Sequence, residues 1–215
     1  MKPPAPQPLS IAGPAGALEA VIEDPLANEA PVAFAVICHP HPLQGGTMSN
    51  KVVTTLARTL NELGLPTVRF NFRGVGASAG EHDEGRGEVD DALAVVAAGH
   101  ARWPSAAPWV AGFSFGGVVA LRAATRLQTA PARVVTIAPA LERYFAGPDE
   151  VPVPRCPWLL IQGDADDVLD AGRVLELARS LAEPPHIVVM PGVGHFFHGK
   201  LNELREAVLD WGRES

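Results

Sequence analysis

Short apolar, β-branched segments alternate with amphipathic helical patterns along most of this chain, and that alternation strongly constrains its fold. Between the later apolar segments, apolar residues recur at three- and four-residue steps, the period of a helix with one apolar face. Repeated strand, helix and strand imply right-handed crossovers and a parallel sheet covered on both faces. The sequence thus predicts a doubly wound α/β fold with a mostly parallel sheet of about seven or eight strands. The segments interpreted as strands span 17–23, 32–38, 66–72, 108–112, 133–138, 158–162 and 186–190.

The chain length indicates one domain. Its 215 residues suffice for one α/β domain with a full core and are few for two. The opening "MKPPAPQPLSIAG" carries four prolines, which are disfavoured in helix interiors and central strands. We therefore expect residues 1–16 to form an extended, loosely attached arm, and residues 17–215 to form the single domain.

Charge and hydropathy exclude several classes of partner. The formal net charge is -7, the chain has no Lys/Arg cluster, and its pI is near 5.5, so we expect neither nucleic acid nor an anionic membrane as a partner. No apolar stretch has the length of a signal peptide or a membrane span. A cytoplasmic protein, monomeric or weakly homo-oligomeric, is expected, with Cys38 and Cys156 as buried reduced thiols.

Two segments place a serine between glycines in the pattern G-x-S-x-G. They are "GFSFGG" around Ser114 and "GASAG" around Ser78. Ser114 follows the apolar strand "PWVAGF" and precedes the helical pattern "GGVVALRAATRL", so it occupies a strand-to-helix turn. Such a turn exposes a nucleophile at the sheet edge and needs small neighbours, because its backbone is strained. Ser78 lacks this context, and we interpret its segment as a loop near the site.

A serine hydroxyl needs a base, and the base needs an acid to orient it. Both should follow later strands, and the order Ser, Asp, His is typical of a nucleophile elbow. "VGHFFHG" offers His195 as the base, while His198 is assigned to the start of the last helix. No His pair has further ligands at convincing spacing, so no metal is expected. The turn "DADDVLD" offers four acids: Asp164, Asp166, Asp167 and Asp170.

From about residue 17 to 212 the sequence resembles the α/β-hydrolase superfamily, and it is most similar to the small lidless carboxylesterase branch related to dienelactone hydrolases. The matching blocks are "VICHPHPLQGGTMSNKVV", "RFNFRGVGASAG", "GFSFGG", "IQGDADDVLD" and "GVGHFFHG". The resemblance implies Ser114 as nucleophile, His195 as general base and acid, and an aspartate three residues after Gly163, which is Asp166. Dienelactone hydrolases proper use a cysteine nucleophile, where this chain has Ser114.

The family's oxyanion hole uses two backbone N–H groups, one directly after the nucleophile and one from the loop after an early strand. Phe115 supplies the first. Because Pro40 has no N–H, His41 is the expected second donor. The side chains of His39 and His41 are expected to shape this loop or to contribute to the substrate pocket. The other side chains expected around the pocket are those of Phe115, Tyr144, Phe145 and Phe196.

The expected function is hydrolysis of small carboxylic esters through an acyl-enzyme, without a cofactor. Alternatives are an amidase, peptidase or perhydrolase on the same residues, or a ligand-binding protein of this fold without turnover. The segment 139–157 contains five prolines and is too short for a helical cap. We therefore expect an open site that prefers short, dissolved esters.

Overall fold

An eight-stranded sheet forms the centre of the part of the chain that the structure, a computed structural model, describes: residues 5–25 and 30–214. The spatial order is β1-β2-β4-β3-β5-β6-β7-β8. From β4 onwards neighbouring strands run parallel, whereas β1 and β2 are antiparallel additions at one edge. The mostly parallel sheet is thus confirmed. The strands are β1 (Gln7–Gly13), β2 (Gly16–Glu23), β3 (Ala33–Cys38), β4 (Thr67–Phe70), β5 (Ala107–Phe113), β6 (Arg133–Ile137), β7 (Trp158–Gly163) and β8 (His186–Met190).

Helices cover both faces of this sheet. Along the fully buried β3, alternate residues enter different clusters: Ile37 packs in the cluster that contains α1 and α6, and Val36 in the one that contains α2 and part of α3. This is the alternation expected of a strand buried on both faces. No helix of the described residues is long and apolar enough to cross a membrane. The helices are α1 (Lys51–Glu62), α2 (Gly87–Arg102), α3 (Phe115–Arg126), α4 (Leu141–Tyr144), α5 (Ala171–Arg179) and α6 (Leu201–Arg213).

The prediction of a loosely attached arm over residues 1–16 is wrong for most of that segment. Residues 7–13 form β1, which pairs with β2 along its whole length, with Gly13 opposite Gly16 across a tight turn. Pro8 lies within β1. A proline is tolerated there because β1 is an edge strand, so one row of its backbone groups needs no partner. Ile11 buries its side chain, which anchors the strand, while residues 1–4 lie outside the described residues.

The carboxyl ends of the parallel strands lie at one edge of the sheet, where ligands bind in folds of this kind. The loops after β3, β5, β7 and β8 all start there. Between β6 and β7, residues 138–157 hold the four-residue α4 and a short 3-10 turn, Pro148–Glu150. These two elements are too small to make a lid domain, as the sequence predicts.

Candidate active site

Ser114 lies at the sharp turn between β5 and α3, with a backbone conformation that is strained for a residue with a side chain. Its φ is 56° and its ψ is -119°, a combination that persists only where the surroundings enforce it. Its N–H donates to the carbonyl of Ile137 (2.9 Å) and its own carbonyl accepts from Gly117 N–H (2.9 Å). Ser114 is 8% exposed. The turn therefore holds the hydroxyl at the end of β5 in one position.

Glycines on both sides of Ser114 allow the turn to close. A Cβ on Gly112 would lie 2.1 Å from the carbonyl oxygen of Gly116. A Cβ on Gly116 would lie 2.3 Å from the carbonyl oxygen of Cys38 and 2.4 Å from that of His39. Such separations are far below van der Waals contact, so both positions exclude larger residues. They also show that the loop after β3 packs directly against the turn.

Three side chains from three loops form a continuous chain of contacts. His195 Nε2 lies 3.1 Å from Ser114 Oγ, and His195 Nδ1 lies 2.8 Å from Asp166 Oδ2. All three groups are largely buried, with 2% of His195 exposed. The sequence-predicted serine, histidine and aspartate are thus brought together, with the imidazole between the hydroxyl and the carboxylate.

The carboxylate of Asp166 is held by further donors. Its Oδ1 accepts from the backbone N–H groups of Val168 (2.9 Å) and Leu169 (2.8 Å), and its Oδ2 accepts from the amide of Gln162 (2.9 Å). Burial alone would raise the pKa of Asp166, but the hydrogen bonds with His195 and with these backbone groups outweigh burial and lower it. The group therefore stays a carboxylate directed at His195.

The neighbouring aspartates shape the two loops instead. Asp164 accepts a hydrogen bond from Gly192 N–H (2.6 Å), and Asp167 accepts one from His195 N–H (3.4 Å). Both contacts tie the loop after β7 to the loop after β8. Of the acids in this turn, Asp166 is the one that contacts the imidazole of His195.

Ser78, the other serine in a G-x-S-x-G pattern, has a structural role. Its Oγ donates to the carbonyl of Asn71 (2.7 Å) and accepts from Glu19 N–H (2.9 Å). These bonds join the loop after β4 to β2. Ser78 is buried, and its hydroxyl is occupied by these two bonds. The segment "GASAG" is thus a loop, as the sequence predicts.

A cavity of about 500 Å³ opens beside Ser114. Of the side chains predicted to surround a pocket, those of His41, Phe115 and Tyr144 line it. Sequence reasoning missed the polar side chains that share the wall, because their placement depends on loop conformations that no local pattern encodes. The further lining residues are Gln44, His82, Glu84, Ala140, Arg143, Val168 and Leu169.

Three predicted pocket residues lie elsewhere. His39 is fully buried behind the loop, where Phe72 N–H donates to its Nε2 (3.0 Å) and its Nδ1 lies 2.6 Å from the carbonyl oxygen of Pro40. Phe145 points into the apolar cluster around α5. Phe196 is 43% exposed and packs edge-on against His195, outside the cavity lining. The backbone turns these three side chains away from the cavity.

Comparisons with known proteins place this chain in a family. The family model of the serine aminopeptidases S33 matches residues 30–153. This chain belongs to the α/β-hydrolase superfamily. An uncharacterized protein of Rickettsia prowazekii is 34% identical to it over 211 residues, which cover 93% of this chain and 85% of that protein.

Solved structures support the same assignment of this α/β hydrolase. An α/β serine hydrolase homologue from Coxiella burnetii is 44% identical and superposes with a TM-score of 0.88, covering 95% of this chain and 96% of that one. An α/β serine hydrolase without a lid from Xanthomonas campestris is 43% identical, with a TM-score of 0.89 and coverage of 99% and 95%. The chain is thus similar over nearly its whole length to serine hydrolases of this fold.

Proposed function

We propose that the protein is a carboxylesterase-type serine hydrolase that cleaves small esters through an acyl-enzyme. The observation that carries this proposal is the contact chain from Ser114 Oγ through His195 to Asp166, with separations of 3.1 and 2.8 Å. A serine hydroxyl becomes a nucleophile when a neighbouring base accepts its proton, and the imidazole needs a carboxylate to fix its tautomer. The strained turn presents the hydroxyl for this reaction.

In the first half of the reaction, Ser114 Oγ attacks the ester carbonyl carbon while its proton passes to His195 Nε2. The resulting imidazolium is stabilised by the carboxylate of Asp166, which accepts the hydrogen bond from Nδ1–H. His195 then donates the proton to the leaving alkoxide oxygen as the carbon–oxygen bond breaks, giving the alcohol and an acyl-serine. In the second half, water loses a proton to His195 as its oxygen attacks the acyl carbon. His195 then returns this proton to Ser114 Oγ as the bond between the acyl carbon and Oγ breaks, which releases the acid and free Ser114.

The negative oxygen of each tetrahedral intermediate needs donors in place before it forms. Phe115 is the first residue of α3, so its N–H has no partner within the helix and lies at the positive end of the helix dipole. His41 N–H is the proposed second donor. Its support is the close packing of the loop after β3 on the turn at Gly116, and the 5.0 Å separation of the His41 and Phe115 ring centres. The proposed reaction uses no cofactor.

Cleavage of amides or peptides is the second candidate, because the matching family model is described as serine aminopeptidase. The same serine, histidine and aspartate serve both reactions, so the fold does not discriminate between them. Measuring kcat/KM with matched p-nitrophenyl esters and aminoacyl p-nitroanilides discriminates between the two reactions. A larger kcat/KM for the anilides than for the esters would replace the esterase proposal.

A fluorophosphonate probe tests the nucleophile directly. Peptide mapping of the treated protein should find the added mass on Ser114, because this hydroxyl contacts a base, whereas the hydroxyl of Ser78 is occupied by two backbone groups. Ser114→Ala should lose the label and reduce kcat for ester hydrolysis by about three orders of magnitude or more. Ser78→Ala is the matched control and should keep the label. A label on Ser78, or activity retained in Ser114→Ala, would contradict the proposal.

A further inference from the structure

The cavity beside Ser114 has two chemically different walls. One wall comes from the segments after β6 and β7 and carries the apolar side chains of Ala140, Val168 and Leu169, together with Arg143 and Tyr144 of α4. A second wall carries the imidazoles of His41 and His82, whose ring centres are 4.9 Å apart. A purely hydrocarbon substrate would leave the polar groups of this second wall desolvated and unpaired, which costs free energy.

The cavity lies on the acyl side of the proposed reaction. In the proposed reaction the leaving oxygen sits beside His195 Nε2 to receive its proton, so the acyl chain extends away from His195. Ser114 itself lines the cavity. A substrate whose carbonyl carbon touches Ser114 and whose leaving group touches His195 therefore extends its acyl chain toward His41.

The tautomer of His41 is fixed by its own loop. Its Nδ1 accepts a hydrogen bond from Leu43 N–H (3.2 Å), which caps the short 3-10 turn that follows. Burial lowers the pKa of His41, and the neighbouring His82 and Arg143 lower it as well, against the opposing effect of Glu88. A neutral imidazole whose Nδ1 is an acceptor must carry its proton on Nε2. His41 is therefore a donor at Nε2 over the neutral pH range.

That donor is available to a ligand. Among the described residues, the ring of His41 takes part in one hydrogen bond, which its Nδ1 accepts from Leu43 N–H. Its Nε2 has no acceptor among these residues. The second imidazole of the wall is held separately. His82 Nδ1 lies 2.7 Å from Oε1 of Glu88, a buried carboxylate that accepts hydrogen bonds from the backbone N–H groups of Asp83 and Gly85 (both 2.8 Å). This contact holds the His82 ring beside His41 and does not involve Nε2–H of His41.

We propose that His41 Nε2–H is a specificity-determining donor that selects esters whose short acyl chain carries an uncharged ether or hydroxyl oxygen. The inference rests on the proposed esterase function. The oxygen of such a chain accepts the hydrogen bond from His41, while its methylene groups contact the apolar side chains of Ala140, Val168 and Leu169.

Isosteric ester pairs test this inference, since a methylene and an ether oxygen have nearly the same size. p-Nitrophenyl methoxyacetate is paired with the butyrate, and p-nitrophenyl 3-methoxypropanoate with the pentanoate. Each kcat/KM is divided by the rate of hydrolysis of the same ester by hydroxide, which removes differences in intrinsic reactivity. For the wild-type protein we expect the oxygen-containing ester to be favoured by about three- to tenfold in at least one pair, the contribution of one hydrogen bond.

Two variants separate the loss of the Nε2–H donor from the loss of the Nδ1 acceptor that caps the 3-10 turn. In His41→Asn the side-chain oxygen takes the place of Nδ1 and still accepts from Leu43 N–H, but no N–H stands where Nε2 was, so the preference should fall to about one. In His41→Gln the amide nitrogen reaches the Nε2 position, so most of the preference should remain. The readout is a ratio within each variant, so a change common to both esters cancels.

The possible results are distinguishable. A preference that is unchanged in His41→Asn, or a wild-type ratio at or below one in both pairs, would overturn the inference while leaving the esterase proposal intact. Absence of any Ser114-dependent ester hydrolysis would overturn both. If His41→Asn fails to fold, the wild-type ratio and His41→Gln decide the question.

Discussion

At the scale of single residues, His39 shows how a side chain beside the site can serve the fold alone. The ring is fully buried and bridges two backbone segments, through Phe72 N–H and the carbonyl of Pro40. Accepting at Nε2 and donating at Nδ1 requires a neutral imidazole. Burial, opposed by the Pro40 bond and by Glu88, lowers the pKa of His39 from 6.5 to about 4. The ring therefore joins the loop after β3 to the end of β4 in its uncharged form.

This depressed pKa predicts acid sensitivity. Between pH 6.5 and about 4 the unfolded chain binds a proton at His39 that the folded chain does not, so the stability that His39 provides is present above pH 6.5 and is lost as the pH falls. The shift corresponds to about 3 kcal/mol in the free energy of unfolding. Urea unfolding at pH 7 and pH 4.5 should show a larger decrease for the wild type than for His39→Gln, which cannot titrate. Equal decreases would show that His39 is not the titrating group.

The sequence predicted the contact of Ser114, Asp166 and His195 better than it predicted the residues around them. Ser114, Asp166 and His195 each follow a strand end, and the carboxyl ends of parallel strands converge, so their meeting follows from the strand pattern. The presence of His82 and Arg143 in the cavity lining could not be predicted. His82 enters the cavity from an irregular loop and Arg143 from the four-residue α4, and no periodicity specifies where such short segments point.

At the scale of elements, the β5–α3 turn depends on the absence of a side chain at Gly116. Helix propensity alone would make Gly116→Ala stabilising by about 1 kcal/mol, because Gly116 lies in the first turn of α3. The clash with the backbone oxygens of Cys38 and His39 reverses the sign. We expect a loss of at least about 2 kcal/mol in the free energy of unfolding, and a fall in kcat as the turn shifts.

A matched control separates the clash from the general effect of losing a glycine. Gly147 precedes the short 3-10 turn with φ of -150°, and a Cβ there would meet no atom within 4 Å. Gly147→Ala should change the free energy of unfolding by less than about 0.5 kcal/mol. Denaturant unfolding and ester hydrolysis measured on both variants test the comparison. Equal effects at the two positions would mean that the turn tolerates a methyl group.

Elements with a strong pattern were predicted nearly to the residue, and the failure at β1 has a definite physical cause. The predicted strands 158–162 and 186–190 correspond to β7 (Trp158–Gly163) and β8 (His186–Met190). Segment 7–13 was predicted to be an arm because proline disfavours central strands. Whether a proline-bearing segment joins a sheet edge depends on an available partner, and β2 provides one. That partnership is a tertiary property, which local composition does not contain.

At the scale of the whole molecule, the sheet brings together segments that are distant along the chain. Ser114 and His195 are 81 residues apart, and Asp166 lies between them in sequence but follows a different strand. Because β5, β6, β7 and β8 are consecutive neighbours in the sheet, their following loops form one continuous rim. The short connection from β6 to β7 leaves that rim without a lid, so the cavity beside Ser114 is exposed to dissolved substrate.

This open architecture predicts a preference for short, dissolved esters. Each CH₂ of an acyl chain contributes about 0.8 kcal/mol while it is removed from water. A cavity of about 500 Å³, bounded on one side by histidines, offers this gain to a short chain, and a longer chain extends into solvent and gains nothing more. With p-nitrophenyl esters of increasing length, kcat/KM should rise over the first few carbons and then level off or fall.

Because no lid has to be displaced, rates should follow the dissolved concentration smoothly through the solubility limit. A maximum at long chains, or a sharp rise where droplets form, would require a mobile segment to cover Ser114, and residues 138–157 are too short to provide one.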